Sequence, residues 1–368
     1  MIELALAKND LLSALLAISG AVDKKQSLVI LSNILVSIEQ DRLLLTATDL
    51  EIEMTASLAY LSSSEPSGKV TIPAKKLIDI IRSLDEDELK MVIDTAAVSV
   101  KSGRSQFKLA TLPAEQYPAS DHQSADVEFS IARDVFLDLI QSAHFAMAQQ
   151  DVRMFLNSLL VEMDGQLLTA VAMDGHRMAV SRLAGDFNFL NQQFLLPRRG
   201  VLEMLRLLNL IQDEQLTISA GKGFFRISTN QFSFITKLTE ARFPQYRKIL
   251  PKEHDKFVLI ERDYLKRSLS RISILANEKT HAVLLSIQPG SLTLVAKNQE
   301  QEEAHEQLEA TVDGQPLKIG INAGYLLDVL NYFADGLVRL SMSTMEQSIL
   351  VESLSNENYQ YIIMPMKL

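Results

Sequence analysis

The sequence predicts an α+β protein made of one domain repeated three times, each copy with two helices and two antiparallel sheets. Two recurrent cassettes and one strand pattern predict it. The first cassette is a helix starter followed by an apolar stripe. It reads Pro73-Ala74-Lys75-Lys76-Leu77-Ile78, then Pro197-Arg198-Arg199-Gly200-Val201-Leu202, then Asn322-Ala323-Gly324-Tyr325-Leu326-Leu327. The second runs from an alternating strand into a helix at residues 4–15, 129–140 and 258–269. Lys8, Arg133 and Arg262 stand in register there, as do Leu11, Phe136 and Leu265 after them. Chance likeness between amphipathic helices does not hold two unrelated cassettes to one period. The joins fall near residues 125 and 254, giving domains 1–125, 126–253 and 254–368.

Within each repeat the order is strand, helix one, meander, helix two, second meander. Pro73 and Pro197 suit helix starts, where a missing N–H costs nothing. Residues 215–219, 225–228 and 231–237 alternate apolar and polar side chains around turn-forming connections, as hairpins do. Residues 89–93, 98–101 and 106–111 match them in the first repeat, and 338–343, 348–352 and 359–364 in the third. Residues 62–67 read as an exposed turn, and the acidic run 300–309 as a solvated face or loop.

Bulk composition is that of a soluble globular chain, 47% hydrophobic and 22% charged. The chain has no Cys, which removes disulfides and thiolate chemistry and favours a reducing compartment. No secretory signal pattern opens it, and Pro289-Gly290 breaks its longest uncharged stretch, so no membrane span is expected. The net charge of −10 argues against nucleic acid only as an average. On helix two the polar positions recur as Lys75, Asp79, Arg82, then Arg199, Glu203, Arg206, then Gly324, Asp328, Asn331, one face opposite the apolar stripe. Arg262, Lys266, Arg267 and Arg271 add to helix one of the third repeat, and Lys24 and Lys25 follow helix one of the first. This recurrence points to a shared basic face for a phosphate backbone.

An enzyme reading rests on Asp174-Gly175-His176-Arg177, where an acid beside a His suggests a base pair or metal ligands. A turn between strands 170–173 and 178–181 explains the same residues, and no nucleophile or third ligand stands at a family spacing. A repeat scaffold that binds only protein is the other alternative.

Over its whole length the chain resembles the bacterial DNA polymerase III beta subunits. The likeness is carried by Thr48-Asp49-Leu50-Glu51, Ser102-Gly103-Arg104-Ser105, Gln150-Asp151-Val152-Arg153, Asp174-Gly175-His176-Arg177, Arg242-Phe243-Pro244, Asn277-Glu278-Lys279, Gln301-Glu302-Glu303-Ala304 and Met364-Pro365-Met366-Lys367-Leu368. It departs from common family residues at Val29, Met154, Phe155, Gly324 and Lys367.

The resemblance implies the DNA clamp fold, a head-to-tail homodimer closing as a six-domain ring around duplex DNA, without catalysis, cofactor or metal. Size agrees. Six helices about 10 Å wide on a circle leave a bore of about 10 Å, and twelve leave about 28 Å. A duplex is roughly 20 Å across, so two chains are needed. The implied DNA contacts are Lys25, Lys75, Lys76, Arg82, Gln150, Arg153, Met154, Arg199 and Arg206. The implied joint between copies uses Lys75, Arg104, Phe107, Leu109, Ile274, Leu275, Glu302, Glu303 and Glu306. The implied partner-peptide cleft comprises Leu156, Met173, Gly175, His176, Arg177, Met178, Pro244, Arg247, Ile249, Asn322, Tyr325, Ser348, Ile362, Met364, Pro365, Met366, Lys367 and Leu368. Expected partners are duplex DNA, a second copy, the replicative polymerase, the clamp loader, and other polymerases and repair proteins carrying short linear motifs. The expected location is the cytoplasm, at the nucleoid.

Overall fold

A computed structural model of the chain describes residues 1–23, 28–39, 41–94, 96–118, 124–251 and 254–367. In the first repeat β1 (Ile2–Ala7) enters α1 (Lys8–Ile18). Then come β2 (Asn33–Glu39), β3 (Arg42–Thr48), β4 (Ile52–Leu58), the short β5 (Ser62–Ser63) and β6 (Gly68–Pro73). Helix α2 (Ala74–Ser83) precedes β7 (Glu88–Ile93), β8 (Ala97–Ser102) and β9 (Ser105–Ala110). The second repeat has β10 (Val127–Ala132), α3 (Arg133–His144), β11 (Ser158–Met173) and β12 (Arg177–Pro197). It continues with α4 (Arg198–Leu210), β13 (Gln215–Gly221), β14 (Phe224–Ser228) and β15 (Phe232–Lys237). The third has β16 (Lys256–Glu261), α5 (Arg262–Ile272), β17 (Ala282–Gln288), β18 (Ser291–Lys297), β19 (Glu303–Glu309), β20 (Thr311–Asp313) and β21 (Leu317–Asn322). It closes with α6 (Ala323–Tyr332), β22 (Leu337–Met342), β23 (Ile349–Ser353) and β24 (Tyr359–Ile363).

Each cassette becomes the element its pattern predicts, and the recurrent basic residue opens helix one every time. Lys8 Nζ donates to the Leu84 carbonyl at 3.0 Å and Arg133 to that of Ile211, just beyond helix two in each repeat. The backbone N–H groups of Lys8, Arg133 and Arg262 donate to Asp87, Glu214 and Gly336. Lys8 and Arg133 therefore stitch helix one to the end of helix two through side chain and backbone, and Arg262 does so through its backbone N–H, its side chain pairing with Asp263. Asn322, in the place of the two prolines, caps α6 through Oδ1, accepting from the N–H groups of Gly324 (2.8 Å) and Tyr325 (3.3 Å).

Two segments depart from expectation. Residues 300–309 are not all loop, because β19 is a strand whose residues alternate between solvent and the sheet's inner face, with Leu308 fully buried. Ser62 and Ser63 pair with Ala5 and Leu4 of β1.

The chain divides into two compact units that cut through the second repeat: residues 1–137 with 199–239, and 138–198 with 240–368. The first unit holds a five-stranded sheet, β5-β1-β7-β8-β9, and an eight-stranded sheet, β10-β13-β14-β15-β4-β3-β2-β6. Phe136 and Phe225, both fully buried, stack there with ring centroids 6.4 Å apart. The second unit holds a seven-stranded sheet, β11-β12-β24-β23-β22-β16-β20, and a four-stranded sheet, β19-β18-β17-β21. Tyr361, 1% exposed, fills its centre and donates to the Ser142 carbonyl at 3.0 Å, so its hydroxyl is not left unpaired in the core. Tyr332 and Tyr359 both donate to the Asp138 carboxylate, and burial and that carboxylate raise both phenol pKa values.

Candidate functional site

The tight turn between β11 and β12 is built by Asp174. Its Oδ1 accepts from the N–H groups of His176 (2.8 Å) and Arg177 (2.9 Å), and its Oδ2 from Arg177 Nε (3.0 Å). Gly175 sits at φ +90°, a conformation side chains disfavour. Arg177 is the hub. Besides Asp174 it reaches Asp328 on α6 at 2.5 Å and the Phe145 carbonyl at 2.7 Å, and it lies over the Tyr325 ring at 4.5 Å. Its side chain is only 13% exposed, so it is an internal bridge. Asp174 is committed to its own turn, which is the turn reading of this motif and not the catalytic one.

Beneath the turn lies an apolar cluster of Leu156, Leu160, Val171, Met173, Met178, Val180, Leu195, Phe243, Tyr246, Leu350 and Ile362. Of the cleft residues expected from sequence, Leu156, Met173, Met178 and Ile362 belong to this floor and are buried. Ile249 and Met364 present apolar surface, 37% and 41% exposed, while Gly175, His176 and Lys367 are exposed and Pro244, Pro365 and Met366 half-buried. A hollow of about 590 Å³ is lined by Lys248, Ile249, Leu250, Pro251, His254, Ser343 and 346–348.

The tail is pinned as an added strand. β24 pairs with β12 from Tyr359↔Ser181 to Ile363↔Arg177. Beyond it, Met364 N–H donates to the His176 carbonyl and Met366 N–H to that of Gly320, both at 2.8 Å. Leu368 lies outside the described residues.

Arg247 faces a different hollow. It donates to the Glu162 carboxylate at 2.6 and 3.1 Å, joined by Tyr246 Oη at 2.7 Å and Gln193 Nε2 at 2.8 Å. Burial raises the Glu162 pKa, and these donors more than offset it, leaving the carboxyl below its ordinary value. Sequence reading missed Glu162, and it placed Asp328 on the polar stripe of helix two without its pairing to Arg177. Both are paired with residues far along the chain, so no local spacing marks those pairs.

The expected DNA-contacting residues fall into three groups. Lys75, Lys76 and Arg82 are exposed on α2, Arg199 is half-exposed beside Asp49 (2.5 Å), and Lys25 lies outside the described residues. Arg153 is held by Asp151 through Nε and Nη2 at 3.0 Å each, which depresses the Asp151 pKa to about 2, and Gln150 takes φ +59° in the same loop. Val152 and Met154 there are 95% and 60% exposed. Arg206 is engaged otherwise: it pairs with Glu203 (2.7 Å) and donates to the carbonyls of Leu16 (3.1 Å) and Ala17 (2.5 Å) at the end of α1. A Cβ at Gly20 would come within 1.9 Å of the Glu203 carboxylate and 2.6 Å of Arg206 Nη2, so the pair would have to shift to admit one.

At the expected joint, Ile274 is 79% exposed and Leu275 half-buried, Phe107 is half-buried and Leu109 7% exposed, and Lys75, Arg104 and Glu302 are exposed. Glu303 binds Lys297 (2.9 Å) and His305 (2.7 Å), and Glu306 binds Arg271 and Ser268. The structure thus gathers Leu156, Met173, Met178 and Ile362 in one floor and bonds the tail to His176, while Pro244 lines the hollow of Arg247 and Ile249 and Ser348 line the other.

Family models of the DNA polymerase III beta subunit match the chain end to end: the N-terminal domain at residues 2–121, the central domain at 130–245 and the C-terminal domain at 247–367. The chain belongs to the DNA polymerase III beta subunit family, the beta sliding clamps. The beta sliding clamp of Pseudomonas aeruginosa is 40% identical over 363 residues, 98% of each chain. That of Escherichia coli K12 is 38% identical over 362 residues, again 98% of each. The crystal structure of the DNA polymerase III subunit beta from Pseudomonas aeruginosa superposes with a TM-score of 0.96 at 39% identity, and that of the C. crescentus beta sliding clamp with 0.95 at 28%, each covering both chains completely. The chain is therefore a non-catalytic DNA sliding clamp of DNA replication, a processivity subunit that works with DNA and polymerase as a dimer. As a bacterial replication clamp it is cytoplasmic. Among the described residues no helix is long and apolar enough to cross a membrane.

Proposed function

We propose that two copies close head to tail into a six-domain ring around duplex DNA and hold the polymerase there through the cleft beside the tail. One observation carries the closure. At both joints inside the chain, the last strand of one repeat is hydrogen-bonded to an outer strand of the preceding repeat's first meander. β15 pairs with β4, and β24 with β12. Two strands of those same kinds remain, β9 and β19, and each ends its sheet. Open edges of this kind are covered or paired in working proteins, and pairing β9 of one copy with β19 of the next closes the ring. The three domains run 1–125, 126–253 and 254–368.

Lys75, Lys76, Arg82, Gln150, Arg153, Met154 and Arg199 face the duplex and touch phosphates loosely, since sliding forbids base readout. The Met-containing cleft around Ile249, Met364 and Met366 takes extended motifs with bulky apolar residues. Polymerase, clamp loader and repair proteins compete for it, on DNA at the nucleoid. Negative-stain imaging of the pure protein tests the reading: closed rings are expected, and isolated crescents at micromolar concentration would overturn it.

A further inference from the structure

Both internal joints share one register, and that register fixes the third. Hydrogen-bonded neighbours lead across the second meander of each repeat from a residue at the same distance before helix one. The paths are Glu3 to Val92 to Ser99 to Lys108, Glu128 to Ser219 to Arg226 to Ile235, and Phe257 to Ser341 to Leu350 to Ile362. Lys108, Ile235 and Ile362 therefore occupy one position. In the first meander, Glu53, Met178 and Glu303 each oppose the residue before a turn-capping Asp49, Asp174 or Asn298. Each of those three side chains accepts from a backbone N–H across its turn. In the chain Ile235 opposes Glu53, and Ile362 opposes Met178.

We propose that, across the joint between copies, Lys108 of one lies directly opposite Glu303 of the other, with Phe107 opposite Ala304 and Gln106 opposite His305. The assignment rests on the ring reading above and deepens it. Two properties not used in deriving it agree. The charges are complementary: Lys108 meets an acid that in the single chain already gathers Lys297 and His305. The faces agree as well, for Lys108, Gln106, Glu303 and His305 are all exposed while Phe107 and Ala304 are both half-buried. A slip of one residue would turn Lys108 against the apolar face, and a slip of two would set it opposite His305 or the backbone of the preceding turn. Lys108 is thus a register-setting residue of the joint, distinct from the apolar residues that supply its area.

The chain's lack of cysteine makes the test direct. In the full-length protein, Lys108→Cys with Glu303→Cys should oxidise to a covalent dimer on a non-reducing gel. Lys108→Cys with His305→Cys, two residues out of register, should do so at least several-fold less. Charge reversal gives a second reading: Lys108→Glu should weaken the dimer about tenfold by sedimentation, and adding Glu303→Lys should restore it. Preferential crosslinking of the out-of-register pair in an intact dimer would overturn the register and leave the ring. A wild-type chain that sediments as monomer would overturn the ring reading and the register with it.

Discussion

Arg177 and Asp328, far apart in sequence, meet at 2.5 Å, and the guanidinium lies over the ring of Tyr325 from the same helix, 4.5 Å from its centroid. The β11–β12 turn, one wall of the cleft, is thereby tied to α6 of the third repeat. Arg177→Ala removes one partner each from Asp174, Asp328 and the Phe145 carbonyl. It is expected to cost about 2–4 kcal/mol in chemical denaturation. His176→Ala, at an exposed neighbour, should stay within about 0.5 kcal/mol of wild type while weakening binding of partner peptides.

The tail gives a second expectation. Its main-chain bonds to His176 and Gly320 hold Met364 and Met366 beside the apolar floor without the tail completing that floor. Deleting residues 364–368 should leave a folded dimer by circular dichroism and sedimentation and abolish peptide binding in fluorescence polarisation. Retained peptide binding would show that the tail only seals the domain.

Much of this was legible in the sequence, because the repeat supplies three readings of each element. Helix starts at Pro73, Pro197 and Asn322 and the stitching cations Lys8, Arg133 and Arg262 all fall where the period puts them. β19 was obscured because two of its three inward positions are Ala304 and Glu306, so only Leu308 marks the apolar alternation. Arg206 sits on the polar stripe of α4, yet its task is decided by the carbonyls of Leu16 and Ala17, which no spacing within α4 reveals.

That distinction yields a third expectation. Arg206→Glu should destabilise the N-terminal unit by about 1–3 kcal/mol, since it strips donors from two carbonyls and sets an acid beside Glu203. Arg199→Glu loses only the half-exposed pair with Asp49 and should cost less folding stability than Arg206→Glu. It should reduce loading onto DNA and flatten the salt dependence of direct DNA binding. Thermal melts and binding titrations across salt separate the two.

Glu162 predicts a pH limb. Its folded pKa is depressed by Tyr246, Gln193 and Arg247 against the cost of burial. The stability it contributes is complete above the ordinary carboxylate range and is lost as pH falls through the depressed value. Glu162→Gln should lower stability at pH 7 and shrink the difference from wild type in acid. A constant difference from pH 7 to pH 3 would contradict this.

Ile274 is mostly exposed and Leu275 half-buried in the single chain, so neither is needed for its fold. Ile274→Ala with Leu275→Ala should give a folded monomer by sedimentation at nanomolar concentration. A persistent dimer would remove these residues from the joint.

Encirclement of DNA is open to a direct test. Once assembled on a nicked circular duplex, the protein should stay bound through gel filtration in high salt, then be lost when a single restriction cut linearises the circle. Equal retention on circular and linear DNA, or loss from both at the same salt, would contradict the account.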